Sequence, residues 1–327
     1  MANPLYDGLF GAHAGQSTPF LRLAGGQVIP HGAFLESAAR IANVMADLGL
    51  APGDRVAAQV EKSPEALALY AACAQAGLVF LPLNTAYTAD EIQYFIENSG
   101  ASLIVCDGRS DATLAPMAGQ FGARIESLNG DGSGSLMDKA RTMPAEFATV
   151  PRTADDLAAF LYTSGTTGRS KGAMLTQANL LSNARTLVKE WRFTAGDVLL
   201  HALPIFHTHG LFVATNVALA AGSSMIFLPK FDLDQVIAGL PEATAMMGVP
   251  PRRFGSSPAG WSNWHSQTAA KQARSNDWPM GTRSSFGTPG VAGRQRGSQK
   301  KSVSPISPEG QKSEMATVLA AVAEDGP

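Results

Sequence analysis

From residue 36 to residue 249 the chain switches repeatedly between two hydrophobic periods, and this alternation constrains the fold more than any other feature of its 327 residues. Ile41, Val44, Met45 and Leu48 stand at i, i+3, i+4 and i+7, one face of a helix over 36–48 that Gly49 can end. Short apolar runs predict strands at 55–60, 79–83, 103–106, 157–162, 198–200, 225–228 and 246–249. Ser63-Pro64-Glu65 supplies an N-cap, a proline at the first helical position and an acid in the first turn, so a helix should run from there to Gly77. Thr88 with Glu91 is a capping box ahead of Ile92, Phe95 and Ile96. Further helices are predicted over 177–191, 210–221 and 233–240. Strands that alternate with helices in this way call for an α/β architecture with much parallel sheet.

Composition narrows the class. Apolar residues make up 45 % of the chain and charged residues 16 %, enough for a packed core. The length suits about two domains at roughly 150 residues each. A formal net charge of −2 does not point to nucleic acid or an anionic membrane as partner. Cys73 and Cys106 are the two cysteines, too few for a disulfide scaffold and in keeping with a reducing compartment. The N-terminus has no basic segment followed by an apolar run, and no stretch approaches the ~18 apolar residues of a membrane span. The expectation is a soluble cytoplasmic protein.

Residues 163–172 carry the sharpest chemical signal. They read Thr163-Ser164-Gly165-Thr166-Thr167-Gly168-Arg169-Ser170-Lys171-Gly172, directly after the apolar strand at 157–162. Gly165 and Gly168 permit close backbone approach and unusual φ values. Hydroxyls of Thr163, Ser164, Thr166 and Thr167, with free backbone N–H groups, can surround phosphate oxygens. Lys171 adds a point positive charge. Gly/Ser/Thr content alone describes an ordinary surface loop. The lysine closing the loop just after a buried strand points instead to phosphate. The Walker spacing is not met.

Here the chain resembles the AMP-forming adenylating enzymes, the superfamily of acyl-CoA synthetases, luciferases and peptide-synthetase adenylation domains. Residues 163–172 look like that family's phosphate-binding signature. Ala202-Leu-Pro-Ile-Phe-His207-Thr-His209-Gly210 resembles its Leu-Pro-x-Phe-His segment, Gly248-Val-Pro250 its Gly-Val-Pro strand end, and 55–88 its N-terminal subdomain. The resemblance covers about residues 15–250, and the wording of 160–232 looks most like the malonyl-CoA synthetase branch. It implies the N-terminal large-domain portion of the adenylate-forming fold, with parallel sheets and flanking helices. It also implies ATP, Mg²⁺ and CoA as cofactors, a carboxylate such as malonate as substrate, and two steps through an acyl-adenylate. By the same resemblance Thr163, Ser164, Gly165, Thr166, Thr167, Gly168 and Lys171 would cradle the β- and γ-phosphates, and His207 would sit at the acyl pocket.

Other candidates read more plainly. His207 and His209 have the His-x-His form of a metal pair, with no third ligand in the nearby sequence. A turn-capping histidine competes for His209. Arg185, Lys189 and Arg192 read as a solvated helix face. Met246 and Met247 read as core, and Cys73 and Cys106 as buried thiols rather than nucleophiles.

Past Pro250 the text changes character. Between Pro251 and Pro327 ten Lys and Arg face five Asp and Glu, against fifteen and twenty-two in the first 250 residues. Three of the four tryptophans lie there, among Ser, Gly and Pro, and few aliphatic residues precede Val318. Such a segment cannot bury enough apolar surface to offset its ordering entropy. It is expected to be largely disordered, with a short helix near 314–324. The family's later segments (aromatic-Gly-x-Thr-Glu, Thr-Gly-Asp, a hinge and a lid domain with a catalytic lysine) are missing. No glutamate stands between Glu242 and Glu309, so the Mg²⁺-binding acid has no candidate. The expected organisation is a partial AMP-binding domain over 1–250 and an anomalous tail over 251–327, the text an out-of-frame reading would produce. Two functions follow: a carboxylate–CoA ligase with little or no turnover in this form, or a non-catalytic remnant that binds nucleotide weakly or serves as an interaction module.

Overall fold

The computed structural model describes residues 2–163 and 171–248, at 163 and 171 the backbone alone. The expectations for 251–327, disorder and a helix near 314–324, lie outside the described residues. In chain order the strands are β1 (Pro19–Leu23), β2 (Val28–Pro30), β3 (Arg55–Gln59), β4 (Val79–Pro82), β5 (Leu103–Cys106), β6 (Arg124–Ser127), β7 (Leu157–Thr163), β8 (Lys171–Thr176), β9 (Val198–His201), β10 (Ser224–Phe227) and β11 (Ala245–Met246). The helices are α1 (Pro4–Leu9), α2 (His31–Asp47), α3 (Pro64–Gln75), α4 (Ala89–Ser99), α5 (Gly108–Gln120), α6 (Ser135–Ala140), α7 (Gln177–Glu190), α8 (Asn216–Ala221) and α9 (Leu233–Gly239), with a π-helical turn at His209–Thr215 ahead of α8.

Among the described residues two sheets form, ordered β6-β5-β3-β4-β7-β8 and β11-β9-β10-β1-β2. All neighbours run parallel except the pairs β7–β8 and β1–β2, so the predicted α/β architecture with parallel sheets and flanking helices is what the chain adopts. The second sheet is assembled from distant segments: β1 inserts beside β10, pairing Leu21 with Met225 and Leu23 with Phe227.

Local signals hold where they were strongest. The Ser63 hydroxyl accepts from the Ala66 N–H with Pro64 at the first helical position, and Thr88 and Glu91 cap α4 reciprocally. Gly49, at φ +78°, follows the end of α2 in a conformation that side chains resist. Helix α3 is buried from Ala66 to Gln75 on every face, as an all-apolar helix must be. Its alanines let α2 approach closely, and the Tyr70 hydroxyl inside accepts from Asn216 Nδ2 at 3.2 Å.

Three expectations need correction. Helix α2 begins at His31, directly after Pro30, rather than at 36. The strand expected over 246–249 is Ala245–Met246, and Met246 is 39 % exposed rather than core, because its partner β9 covers it on one side only; Met247 is buried. The helix expected over 210–221 is split, with the π-helical turn at His209–Thr215 preceding α8. No described helix is long and apolar enough to cross a membrane.

Candidate functional site

Of the phosphate-binding candidates, the structure describes the backbones of Thr163 and Lys171, on the last two strands at one edge of the first sheet. Strands β7 and β8 pair antiparallel with Leu161 opposite Ala173, Tyr162 opposite Gly172 and Thr163 opposite Lys171. The backbones of Thr163 and Lys171 thus face each other where the β7–β8 pairing ends. Ser164, Gly165, Thr166, Thr167 and Gly168 lie outside the described residues. Tyr162 anchors this end of β7: its ring lies 4.3 Å from that of Phe95 and its hydroxyl donates to Asn98 Oδ1 at 2.7 Å. A Cβ on Gly172 would stand 3.3 Å from the rings of Phe160 and Tyr162, so a small residue suits that position.

His207 lies in the segment after β9, exposed, with its ring 4.5 Å from that of Phe206. Although the residue as a whole is exposed, neighbouring atoms partly desolvate its ring and hold the imidazole below the ordinary value. His209 opens the π-helical turn. Burial lowers its pKa too, and its buried Nε2 makes no hydrogen bond. His207 lies in the loop after β9 and His209 in the π-helical turn, and His209 caps nothing through Nε2. The turn between them is tight: the Leu211 N–H donates to the His207 carbonyl at 3.0 Å, and the Pro204 carbonyl fills the space where a side chain on Gly210 would begin.

Sequence reasoning missed the group that ties the two sheets together. Lys62, three residues past the end of β3, is 7 % exposed. Its Nζ donates to His201 Nδ1 and to the His201 carbonyl, both at 2.8 Å, and lies 4.3 Å from the centroid of the Phe227 ring. His201 and Phe227 are the last residues of β9 and β10. The carboxyl ends of parallel strands from both sheets therefore meet at Lys62, the edge where open α/β sheets bind ligands. His207 follows β9 and the Thr163 end of β7 closes the same edge of its sheet. Lysine on a loop reads as solvated in sequence; the one signal for His201 was a polar residue closing an apolar strand.

The remaining candidates behave as ordinary structure. Arg185, Lys189 and Arg192 are exposed. Cys73 and Cys106 are fully buried, and burial raises both thiols, Cys106 to about 12. Among the described residues no three His, Cys, Asp or Glu side chains gather as a metal site. No carboxylate cluster of the kind that would hold Mg²⁺ without substrate phosphates is gathered among the described residues.

Comparison with known proteins agrees with this architecture. The AMP-binding enzyme family matches residues 13–252. A feruloyl-CoA synthase of Amycolatopsis sp is 33 % identical over 228 residues, 69 % of this chain and 44 % of that protein. The mitochondrial malonate–CoA ligase ACSF3 of Mus musculus is 34 % identical over 179 residues, 53 % of this chain and 30 % of that protein. The crystal structure of ATP-bound MatB from Rhodopseudomonas palustris superposes with a TM-score of 0.75 at 52 % identity, covering 79 % of this chain and 52 % of that one. The chain thus spans about half, or less, of the length of these relatives. On the family match and the shared fold, this chain belongs to the AMP-binding enzymes.

Proposed function

We propose that residues 1–250 form the ATP-phosphate- and carboxylate-binding part of an acyl-CoA ligase whose acid is malonate. The observation that carries this reading is the 52 % identity to an ATP-bound relative across 79 % of the chain, beside a family match over residues 13–252 that includes Thr163 and Lys171. The malonate–CoA ligase of mouse supports the choice of acid. Aromatic and fatty acids are the rivals that a substrate panel must include, since feruloyl- and fatty-acyl-CoA ligases share similar identity.

In the reaction, a carboxylate oxygen attacks the α-phosphorus of ATP, the bond to the bridging oxygen breaks, and pyrophosphate leaves with that electron pair. The thiolate of CoA then attacks the acyl carbon, and AMP leaves as its phosphate anion. The protein's task in the first step is electrostatic: donors fixed in advance must meet charge as it grows on phosphoryl oxygens. Hydroxyls and N–H groups of Thr163, Ser164, Gly165, Thr166, Thr167 and Gly168, with the Lys171 ammonium, would serve the β- and γ-phosphates. A neutral His207 would orient the attacking carboxylate by donating one hydrogen bond without holding it back as an ion pair would. Its lowered pKa suits that role.

A second reading has its own observation. Residues 251–327 contain none of the family's later motifs, and the family match ends at 252. On this reading the chain binds nucleotide weakly and does not turn over. ATP–pyrophosphate exchange driven by malonate, beside ATP binding by calorimetry, tests both. Binding without exchange is the expected result. Malonyl-CoA formation by the purified 327-residue chain would contradict the low turnover, and absence of ATP binding would contradict the site itself.

A further inference from the structure

Lys62 is buried with its Nζ directed at a histidine, not a carboxylate. Burial pushes its pKa well below the lysine range and, with Lys62 beside it, pushes His201 to about 3. Burying this amine away from any carboxylate costs desolvation that its hydrogen bonds only offset. Its value lies in direction. His201 Nε2 is 2.8 Å from the Gly210 carbonyl oxygen, and a carbonyl only accepts, so Nε2 carries the ring proton. Nδ1 is then the lone-pair nitrogen that accepts from Lys62. The Thr215 hydroxyl donates to the same Gly210 carbonyl at 3.0 Å. Gly210 is thus clamped from two sides, by Pro204 against its α-carbon and by two donors on its oxygen.

We propose that Lys62 is a positioning residue for the turn bearing His207 and His209. By donating to Nδ1 it holds His201 in the Nε2–H tautomer, whose proton, with the Thr215 hydroxyl, fixes the Gly210 carbonyl. Without that donor the ring can take the Nδ1–H tautomer. A lone pair would then face the carbonyl lone pairs, and the Thr215 hydroxyl, 3.2 Å from Nε2, would turn from the Gly210 carbonyl to donate to that nitrogen, so the carbonyl loses both donors and the turn is released. The assignment of the turn to carboxylate binding rests on the function proposed above; the tautomer relay does not.

The experiment records long-range proton–nitrogen spectra of the histidine rings in the full ¹⁵N-labelled chain and in Lys62→Met, His201→Gln and His201→Leu, with malonate titrated in the presence of ATP. Wild-type His201 should be the Nε2–H tautomer with a hydrogen-bonded Nδ1. Lys62→Met should give mixed tautomers and displace the His207 and His209 signals. His201→Gln, whose amide N–H reaches near the Nε2 position, should keep those signals close to wild type, whereas His201→Leu should move them. Malonate affinity should fall about tenfold in Lys62→Met and His201→Leu and stay within about twofold in His201→Gln. A wild-type Nδ1–H tautomer overturns the proposal, as do unmoved His207 and His209 signals in Lys62→Met. Equal displacement by Gln and Leu overturns it too, since packing alone would then explain the site. Should Lys62→Met fail to fold, the wild-type tautomer and the Gln/Leu pair decide. A wild-type chain that ignores malonate while showing the relay would remove the carboxylate assignment and leave the positioning intact.

Discussion

The carbonyl of Pro204 occupies the position where a side chain on Gly210 would start, with its carbon 2.9 Å from the ideal Cβ. Backbone cannot yield as a flexible side chain can, so Gly210→Ala must push the His207–His209 turn away from Pro204. The expected cost is about 3 kcal/mol in urea unfolding. Gly119→Ala is the internal control. Nothing lies within 4 Å of that Cβ, and Gly119 is in helix α5, where alanine is expected to add about 0.5–1 kcal/mol. Equal effects at the two positions would contradict the close approach.

Stability should fall with acid before the carboxylates titrate. His31 is buried between the rings of His13 and Phe20, at 4.4 and 4.6 Å. Burial first, then His13, lower its pKa from 6.5 to about 4. Between pH 6.5 and 4 the unfolded chain binds the proton that the folded chain refuses, so stability rises with pH across that window. From pH 7 to pH 5 the loss assigned to His31 is roughly 2 kcal/mol. His201, with a pKa of about 3, adds a loss of the same sign. His31→Phe keeps the stacking and removes the titration, so its urea midpoint should drop less between pH 7 and 5. A drop as large as wild type would contradict the assignment.

The thiols should be inert in the native state. Cys73 and Cys106 are each 0 % exposed. Both cysteines should resist a disulfide reagent at pH 8 and react together on unfolding. One fast thiol in the folded chain would reopen the nucleophile that the burial excludes.

The change of text after Pro250 is testable at the gene. If 251–327 is an out-of-frame reading, as its composition suggested, another frame of the coding DNA from codon 251 should supply the aromatic-Gly-x-Thr-Glu and Thr-Gly-Asp segments. If no frame does, 251–327 is a genuine extension and the frameshift proposal fails.

What sequence could disclose was local. Ser63, Thr88 and Glu91 announce their helices because each cap is a contact over three residues. Strand β1 was not foreseen, since Pro19–Leu23 is short and becomes a strand by pairing with β10, some two hundred residues on. Helix α5 was hidden by Pro116 and two glycines, and of its residues Leu114 and Ala118 are the buried ones. The π-helical turn reads as ordinary helix until the Pro204–Gly210 approach is known. In the candidate site, His207 and the 163–171 stretch were legible through motif, whereas Lys62 owes its role to His201 and Phe227 arriving from another sheet.

Binding of ATP to the whole chain and to Lys171→Met, followed by calorimetry at fixed ionic strength, tests the central claim most directly. Loss of one charged donor to the triphosphate should weaken ATP at least about tenfold, while adenosine, which has no phosphate, binds both proteins alike. Equal ATP affinity in the two would contradict the assignment of residues 163–171 to the phosphates.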